Sequence, residues 1–142
     1  MATAGSRLFI AWSTVREGKA QIYLASSEDG GKTFRSRMHL AEGVMDPNHP
    51  SMLMTGDKVA VVFQGRQAEA NQGWGPVGAW YREVDSDGRL SKLIRIGNAS
   101  KSASYPVVAF EEPGRVFVAW TEPGEEAPSV ILARGRRTAD GH

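Results

Sequence analysis

Three short segments of the chain share one pattern of apolar and polar positions. Each starts with a basic residue, continues with five apolar residues that end in an aromatic one, and then turns polar. They are RLFIAWST at 7–14, KVAVVFQG at 58–65 and RVFVAWTE at 115–122. Apolar runs this short, rich in Val and Phe, are typical of strands that are buried on both faces. The pattern therefore predicts three equivalent central strands.

The repeat extends to the strands on either side. HPSMLMTGDK at 49–58 resembles YPVVAFEEPGR at 105–115, since each has a ring before a proline and then a short apolar run. A further apolar segment follows each central strand, at 21–26, 76–84 and 129–134. Four strands in roughly 50 residues are typical of one blade of a β-propeller. A β-sandwich of similar strands is the alternative, which the regular spacing disfavours. No segment predicts an amphipathic helix of any length.

A corner rich in turn residues follows the third strand of the first unit. In IYLASSEDGGKTF at 22–34, hydroxyl and carboxylate side chains stand beside paired glycines, which accept a positive φ without steric cost. The corner resembles the Asp-box of the sialidase-like propellers (the BNR repeat) at Ser27, Asp29, Gly30, Gly31, Thr33 and Phe34. In that family the box joins the third strand of a blade to the fourth, so the resemblance implies a structural corner. A calcium loop would need a run of oxygen ligands and a terminal acid, which are missing.

Counting strands predicts an incomplete ring. The first unit starts at Arg7 with its second strand, since only MATAGS precedes it, and the last unit ends near Arg137 after its third. We expect about ten strands in one propeller arc, with a part-blade at 1–40, a blade at 41–97 and a part-blade at 98–137. A closed propeller needs about four to eight blades, and the family resemblance implies about six. A second chain, whose N-terminal residues fill the open last blade, or sequence outside this chain would complete the ring.

The composition excludes several classes of function. The 142 residues include 17 Lys and Arg against 16 Asp and Glu, which is too balanced for a nucleic-acid surface. The one basic cluster, Arg134, Arg136 and Arg137, is interpreted as a solvated end. Without cysteine there is no disulfide or thiolate metal site, and no apolar run approaches the length of a membrane span. Nothing indicates a cofactor. The resemblance implies a periplasmic or secreted location, only as a tendency.

The loops between second and third strands share one face of a propeller with the loops that join blades. Sorted in this way, the chain presents five candidate binding residues on that face: Asp46, His49, Arg66, Trp74 and Tyr105. His49 and Tyr105 are equivalent in the repeat, so we expect both near the mouth of the central channel. For each, a structural role at the start of a strand is favoured over catalysis. Trp74, in the long loop 64–76, is either a stacking platform for a sugar or a partner chain, or a lid on its own loop.

The resemblance raises the question of glycosidase activity. It implies three arginines that bind a substrate carboxylate, a tyrosine nucleophile paired with a glutamate, and an aspartate acid, a departure from the usual two-carboxylate scheme. The Arg-Ile-Pro signature of the family is missing, because Ile94-Arg95-Ile96 lacks the proline. Arg66 alone suits a carboxylate. We therefore predict a non-catalytic binding or scaffolding module in a ring of about six blades, with a glycan or a protein as its ligand. A sialidase-type hydrolase, or part of one, is the alternative.

A segment rich in methionine and histidine, at 38–54, offers a third function. It holds four of the five methionines and two of the three histidines, and thioether and imidazole ligands suit copper, above all Cu(I). Met45 and His49 are the loop residues that would approach each other. Met52 and Met54 have the period of a strand and fit a core instead. No metal site is therefore favoured.

Overall fold

The chain folds into three antiparallel sheets. The computed structural model describes residues 1–69, 73–112 and 114–137, and within them all side chains except those of residues 68, 69, 73 and 74. The first sheet contains β1 (Ala2–Ala4), β2 (Arg7–Arg16), β3 (Lys19–Ser27) and β4 (Met38–His39). The second sheet contains β5 (Val44–Thr55), β6 (Lys58–Glu69), β7 (Gly73–Val84) and β8 (Ile94–Ile96). The third sheet contains β9 (Ser104–Glu111), β10 (Arg115–Glu122) and β11 (Ser129–Arg136). Neighbours in sequence are neighbours in each sheet.

This architecture confirms the predicted all-β fold of repeated antiparallel units. The three repeated segments become β2, β6 and β10, which are central strands of their sheets. Within the described residues, no helix is long and apolar enough to cross a membrane.

The second sheet lies between the other two, and both of its faces are buried. On β6, Val59, Val61 and Phe63 pack in one core cluster with residues of the first sheet. Val62 points the other way and packs with residues of the third sheet. All four side chains are fully buried. A strand covered on both faces has no polar side to present to water, which explains why its apolar run is continuous.

Among the described residues, the third sheet is covered on one face only. Along β10 the side chains alternate between buried and partly buried positions, and Val116, Val118 and Trp120 are buried against the second sheet. The alternate side chains, such as Phe117, are only partly buried. The same kind of apolar run therefore has two different environments, depending on how many neighbouring sheets it has.

The first sheet has a strand that the sequence analysis did not predict. Ala2, Thr3 and Ala4 pair with Phe9, Leu8 and Arg7, so β1 occupies the edge position next to β2. This corrects the expectation that the first unit starts with its second strand, and it brings the strands of the described residues to eleven. Three small residues carry no apolar run and no alternation, so pattern alone could not identify them.

The segment 64–76 is not a loop, which corrects a second expectation. β6 continues to Glu69 and β7 begins at Gly73, so the two strands extend as one long hairpin beyond the core. The residues from Gln64 onwards lack the apolar pattern of a buried strand. Trp74 pairs with Ala68 in the ladder, but its side chain lies outside the described residues.

The corner after β3 is closed by a network of side-chain and backbone hydrogen bonds. The Ser27 hydroxyl donates to Asp29 Oδ1 at 2.7 Å and accepts from the Gly31 amide at 2.8 Å. Asp29 also accepts from the Thr33 amide at 2.9 Å and from the Thr33 hydroxyl at 2.7 Å. Gly30 and Gly31 both have φ above +70°, a conformation for which glycine pays no steric cost. The corner therefore needs both its short polar side chains and its glycines.

Two further details describe the corners of the first and second units. Phe34 is half-exposed rather than packed at the start of a fourth strand, because β4 begins only at Met38. In the second unit, Asp85 takes the accepting role that Ser27 has in the first. Its Oδ1 accepts from the amides of Asp87 at 3.0 Å and Arg89 at 2.8 Å. The second corner keeps the geometry with a different side chain.

Asp29 should give the protein a stability component that disappears in acid. The Thr33 hydroxyl, then the Thr33 amide and the Ser27 hydroxyl, lower the pKa of Asp29 to about 2. Since the carboxyl pKa of an unfolded chain is about 3.9, this component is present above about pH 4 and is lost as pH falls towards 2. Asp29→Asn should therefore lower the urea midpoint at pH 7, and the difference from the parent should shrink at pH 2.

Asp57→Asn is the control for Asp29→Asn, because Asp57 is an exposed carboxylate in the turn between β5 and β6. It should change neither the midpoint nor its pH dependence. If both variants followed the parent at every pH, the corner network would contribute no stability.

Gly65 lets the start of β5 approach β6, and adding a methyl group there should destabilise the fold. A Cβ at Gly65 would overlap Val44 Cγ1 and stand 3.2 Å from the Met45 carbonyl oxygen and 3.3 Å from Pro47 Cα. Overpacking of this kind costs about 1–3 kcal/mol. We expect Gly65→Ala to lower the free energy of unfolding in urea by that amount.

Gly135→Ala is the matched control for Gly65→Ala. A Cβ at this second strand glycine would meet nothing within 4 Å, so the free energy of unfolding should change by less than about 0.5 kcal/mol. Equal effects of the two variants would contradict the close approach at Gly65.

Candidate functional site

Three bulges at the starts of innermost strands form the candidate site. The ladder between β5 and β6 shifts register between Met45 and Asn48 and again between Asn48 and Ser51. The ladder between β9 and β10 shifts between Ala119 and Thr121, opposite Tyr105. Each shift inserts one extra residue in the innermost strand. Bulges of this type are concentrated near functional sites, where they turn a side chain in a new direction.

The residue at each bulge has an unusual backbone conformation. Asp46, His49 and Tyr105 have φ of 50°, 51° and 54°, which is the left-handed region that residues other than glycine rarely adopt. Each precedes a proline, and a residue before proline normally takes an extended conformation. Such conformations cost about 1–3 kcal/mol each and persist where the surrounding structure enforces them. Here Pro47 and Pro106 are fully buried and hold the chain on either side.

The bulges bring two aromatic rings from different sheets into contact. The rings of His49 on β5 and Tyr105 on β9 meet edge to face, with centroids 4.8 Å apart and an angle of 81°. Tyr105 is 62% exposed, and its amide donates to Gln64 Oε1 on β6 at 2.7 Å. His49 and Tyr105, which are equivalent in the repeat, therefore meet across neighbouring sheets.

Asn48 organises the polar side of this pair. Its Nδ2 donates to the Asp46 carbonyl oxygen at 2.8 Å, and its Oδ1 contacts His49 Nδ1. If the proton of His49 lies on Nδ1, that nitrogen donates to Asn48 and leaves Nε2 as an acceptor for a ligand. The sequence analysis missed both Asn48 and Gln64. Gln64 offered one signal, since it is the polar residue directly after an apolar run.

Arg66 lies on the neighbouring strand, and Trp74 lies farther along the same hairpin. Arg66 pairs with Met45 in the ladder, next to the Asp46 bulge, and its Nη1 donates to the Gly75 carbonyl oxygen at 3.3 Å. Within the described residues no carboxylate pairs with Arg66, which is partly buried. Trp74 is opposite Ala68, two positions beyond Arg66, and the structure does not describe its side chain.

The side chains of this cluster combine an aromatic ring with several hydrogen-bonding groups. An exposed tyrosine ring, an imidazole, a guanidinium and amide groups together offer an aromatic surface with hydrogen-bond donors and acceptors on several sides. A tyrosine nucleophile would need a carboxylate partner, but Tyr105 contacts His49 instead. No carboxylate of the described side chains bonds to its hydroxyl.

The methionines of segment 38–54 are mainly core residues. Met38, Met52 and Met54 pack against the main hydrophobic cluster, and only Met45 is exposed. His39 contacts the ring of Tyr23 on the first sheet, with centroids 5.5 Å apart. Among the described residues, no group of three or more histidine and carboxylate side chains is placed to hold a metal ion. The copper-binding interpretation therefore has no support in the structure.

A cleft of about 410 Å³ lies away from this cluster, between the second and third sheets. Its polar end is a buried network around Glu83, which accepts from the Tyr81 hydroxyl at 2.6 Å and pairs with Arg137 Nε at 2.8 Å. Burial, and then the hydrogen bond to Glu83, raise the pKa of Tyr81 far above its usual value. The expectation that Arg137 belongs to a solvated end is therefore wrong. Arg137 connects the end of the third sheet to the second sheet.

Known structures similar to this chain are β-propellers. The chain aligns with an alpha-L-arabinanase from Penicillium chrysogenum complexed with arabinobiose, with a TM-score of 0.58 and 16% identity, over 90% of this chain and 40% of that one. It also aligns with the NanB sialidase from Streptococcus pneumoniae, with a TM-score of 0.56 and 14% identity, over 91% of this chain and 21% of that one.

The chain thus spans less than half the length of each of these two proteins. No protein-family model matches the sequence, and the search of curated proteins finds no match. At such low identity the likeness concerns the fold. The chain has the fold of a partial β-propeller, of the sialidase-like kind that these two proteins share with it.

Proposed function

We propose that the chain is a non-catalytic binding module whose bulge cluster recognises a saccharide. The observation that carries this proposal is the strained backbone at Asp46, His49 and Tyr105, each before a proline and at the start of an innermost strand. Three strained residues in one cluster cost stability, and such residues are concentrated at binding and catalytic sites. A cluster that served only to start strands would not need non-glycine residues with positive φ.

The residues of the cluster suit a sugar. Saccharides present apolar ring faces edged with hydroxyl groups, which pair with an exposed aromatic ring and with amide, imidazole and guanidinium groups. Tyr105 supplies the ring, and Asn48, His49 and Arg66 supply polar groups around it. Arg66 would select a sugar that carries a carboxylate, because guanidinium and carboxylate bond in a bidentate fashion. Arabinobiose, the ligand of the arabinanase, and a sialoside are therefore the first probes, one neutral and one anionic.

Catalysis is the alternative that these residues support less well. Glycoside hydrolysis by two carboxyl groups needs them about 5–9.5 Å apart. Asp46 is the one carboxylate among the candidate residues, and Tyr105 is paired with an imidazole rather than a carboxylate. In this proposal the cluster binds a saccharide but does not hydrolyse it, because the candidate residues include no second carboxyl group beside Asp46.

Further sheets would have to complete the ring around this face. The third sheet has three described strands and one open face, and the first sheet also has an open face. Apolar sheet faces and unpaired edges in water favour association. We infer that the module works as part of a closed propeller of about six blades.

Removing the Tyr105 ring should weaken saccharide binding without unfolding the protein. Tyr105→Ala should raise the Kd for arabinobiose or a sialoside about three- to tenfold, the usual effect of one aromatic contact. The chain has three histidines, so the ring signals of His49 can be assigned by NMR and followed during titration. Phe34→Ala, which removes another exposed aromatic ring, is the control and should leave the Kd unchanged.

A fluorogenic sialoside tests the alternative in the same preparation. A binding module releases no fluorophore above the rate of buffer alone. Turnover that Arg66→Ala abolishes would establish a hydrolase instead. If no saccharide in a panel shifts the His49 signals, the saccharide proposal is wrong and a protein ligand takes its place.

A further inference from the structure

The three central strands bury the same positions wherever a neighbouring sheet is present. On one side of each strand are the first, third and fifth apolar residues of the repeated segment. In the second sheet these are Val59, Val61 and Phe63, all fully buried against the first sheet; in the third they are Val116, Val118 and Trp120, buried against the second. In the first sheet they are Leu8, Ile10 and Trp12. No described sheet precedes these three residues, and they are only partly buried.

The opposite face gives the complementary result. Ile22 and Leu24 on β3 point towards the second sheet and are 0% exposed. By their pairing with the central strand, their equivalents on β11 are Val130 and Leu132. These two side chains are 77% and 65% exposed. The third sheet therefore carries apolar residues where a following sheet is expected, and the described residues supply no such sheet.

Each open face has the composition that the other one needs. Between sheets that pack together, the face with the first, third and fifth apolar residues of one central strand contacts the opposite face of its neighbour. The open face of the first sheet, with Leu8, Ile10 and Trp12, is of the first type. The open face of the third sheet, with Val130 and Leu132, is of the second type. We propose that two copies of this chain close on each other, with Val130 and Leu132 of each copy packed on Leu8, Ile10 and Trp12 of the other. This assembly rests on the proposed function, in which the module is part of a closed ring.

Two-fold closure uses both open faces of both copies. The contact pairs unlike faces, so a single contact would leave one face free at each end and allow a chain of molecules to grow. Two copies, each with three sheets, satisfy both faces at once and give about six blades, within the range that closes a propeller. Two copies thus cover both open faces.

The area of these faces is sufficient for a stable association. A face about eight residues long and three strands wide measures roughly 350 Å² at ordinary strand spacings. Two such contacts, counted on both copies, bury roughly 1,400 Å², which exceeds the approximately 1,000 Å² of a specific interface. The apolar positions of both faces lie in the inner part of the sheets, near the central strands.

Exposed charges lie at the edges of the two faces. At the edge with the hairpin loops, the first sheet presents Arg16 and Lys19, and the third presents Glu125 and Glu126. These attract each other. At the opposite edge the third sheet carries Arg115 and Arg136, whereas Arg7 of the first sheet is turned to the second sheet, where its Nη2 donates to the Gly56 carbonyl oxygen at 3.3 Å. Since exposed charges at such edges contribute little and are screened by salt, the apolar faces determine the contact.

Light scattering with one variant and one control tests the assembly. The parent chain should have a mass of twice 15.4 kDa. Leu132→Glu places a charge in both contacts of the dimer and should raise its Kd at least about a hundredfold, tenfold for each contact, giving a folded monomer. The control is Val15→Glu, which alters an exposed side chain in the hairpin between β2 and β3. It should remain a dimer.

Cross-linking identifies which faces meet. Because the chain has no cysteine, Trp12→Cys and Leu132→Cys can be prepared as separate proteins and mixed. A bis-maleimide that reaches about 10 Å, the distance between packed sheets, should join the unlike chains. The mixture of Val15→Cys and Leu132→Cys should give no such product.

Three results would overturn the proposal: a parent that is monomeric at all concentrations, a dimer that survives Leu132→Glu, or an assembly that grows with concentration. Absence of the Trp12 to Leu132 cross-link would also overturn it. Saccharide binding at Tyr105 is measured separately, in the monomeric Leu132→Glu protein as well as in the parent. A parent chain that is monomeric but still binds a saccharide would refute this assembly alone, whereas a parent dimer without saccharide binding would refute the saccharide site alone.

Discussion

The burial of β6 between two other sheets is the constraint on which the rest of this structure depends. A strand with both faces covered loses all contact with water, so its side chains from Val59 to Phe63 are apolar without interruption. The second sheet then requires a neighbour on each side, and the first and third sheets meet that need. Each of these outer sheets repeats the same sequence pattern but has only one neighbour. Their apolar runs are buried on one face only, because the repeated unit has the pattern of a strand that is packed on both faces.

The candidate site depends on the same packing. Innermost strands of adjacent sheets converge, so side chains at their starts meet across the gap, as His49 and Tyr105 do. The bulges place these residues, and the bulges in turn are held by buried prolines and by Gly65, whose missing side chain admits Val44 and Pro47. Strain at Asp46, His49 and Tyr105 is thus supported by the core. The corner at Asp29 lies outside this cluster and closes the first sheet through hydrogen bonds of its own.

The sequence predicted the elements that repeat and missed those that do not. The apolar runs identified β2, β6 and β10 because burial on both faces leaves a continuous pattern, and the ring-proline pair identified His49 and Tyr105 as equivalents.

β1 was missed because Ala2 to Ala4 are held by backbone pairing rather than by an apolar pattern. The hairpin beyond Gln64 was missed because Gly65, Arg66 and Gln67 do not continue the apolar run of the strand. The positive φ of Asp46 follows from a register shift, and no local sequence rule for a residue before proline predicts it. Asn48 bonds to the backbone of nearby Asp46, and Gln64 bonds to the backbone of Tyr105, which is distant in sequence. The periodicity of apolar residues gives no information about such hydrogen bonds.

Fold and function are separable in this chain because different residues carry them. At 14–16% identity to a sialidase and an arabinanase, this chain shares only the fold with them. In this chain the fold rests on the spacing of apolar side chains that lets one sheet cover the next. That spacing is satisfied by Leu, Val, Ile and Phe alike, so it constrains no ligand. The residues that differ between the two equivalent strand starts, an imidazole in one and a phenol in the other, are not needed for packing. They lie at bulges where the backbone is strained, and strain of this kind is concentrated at binding and catalytic sites.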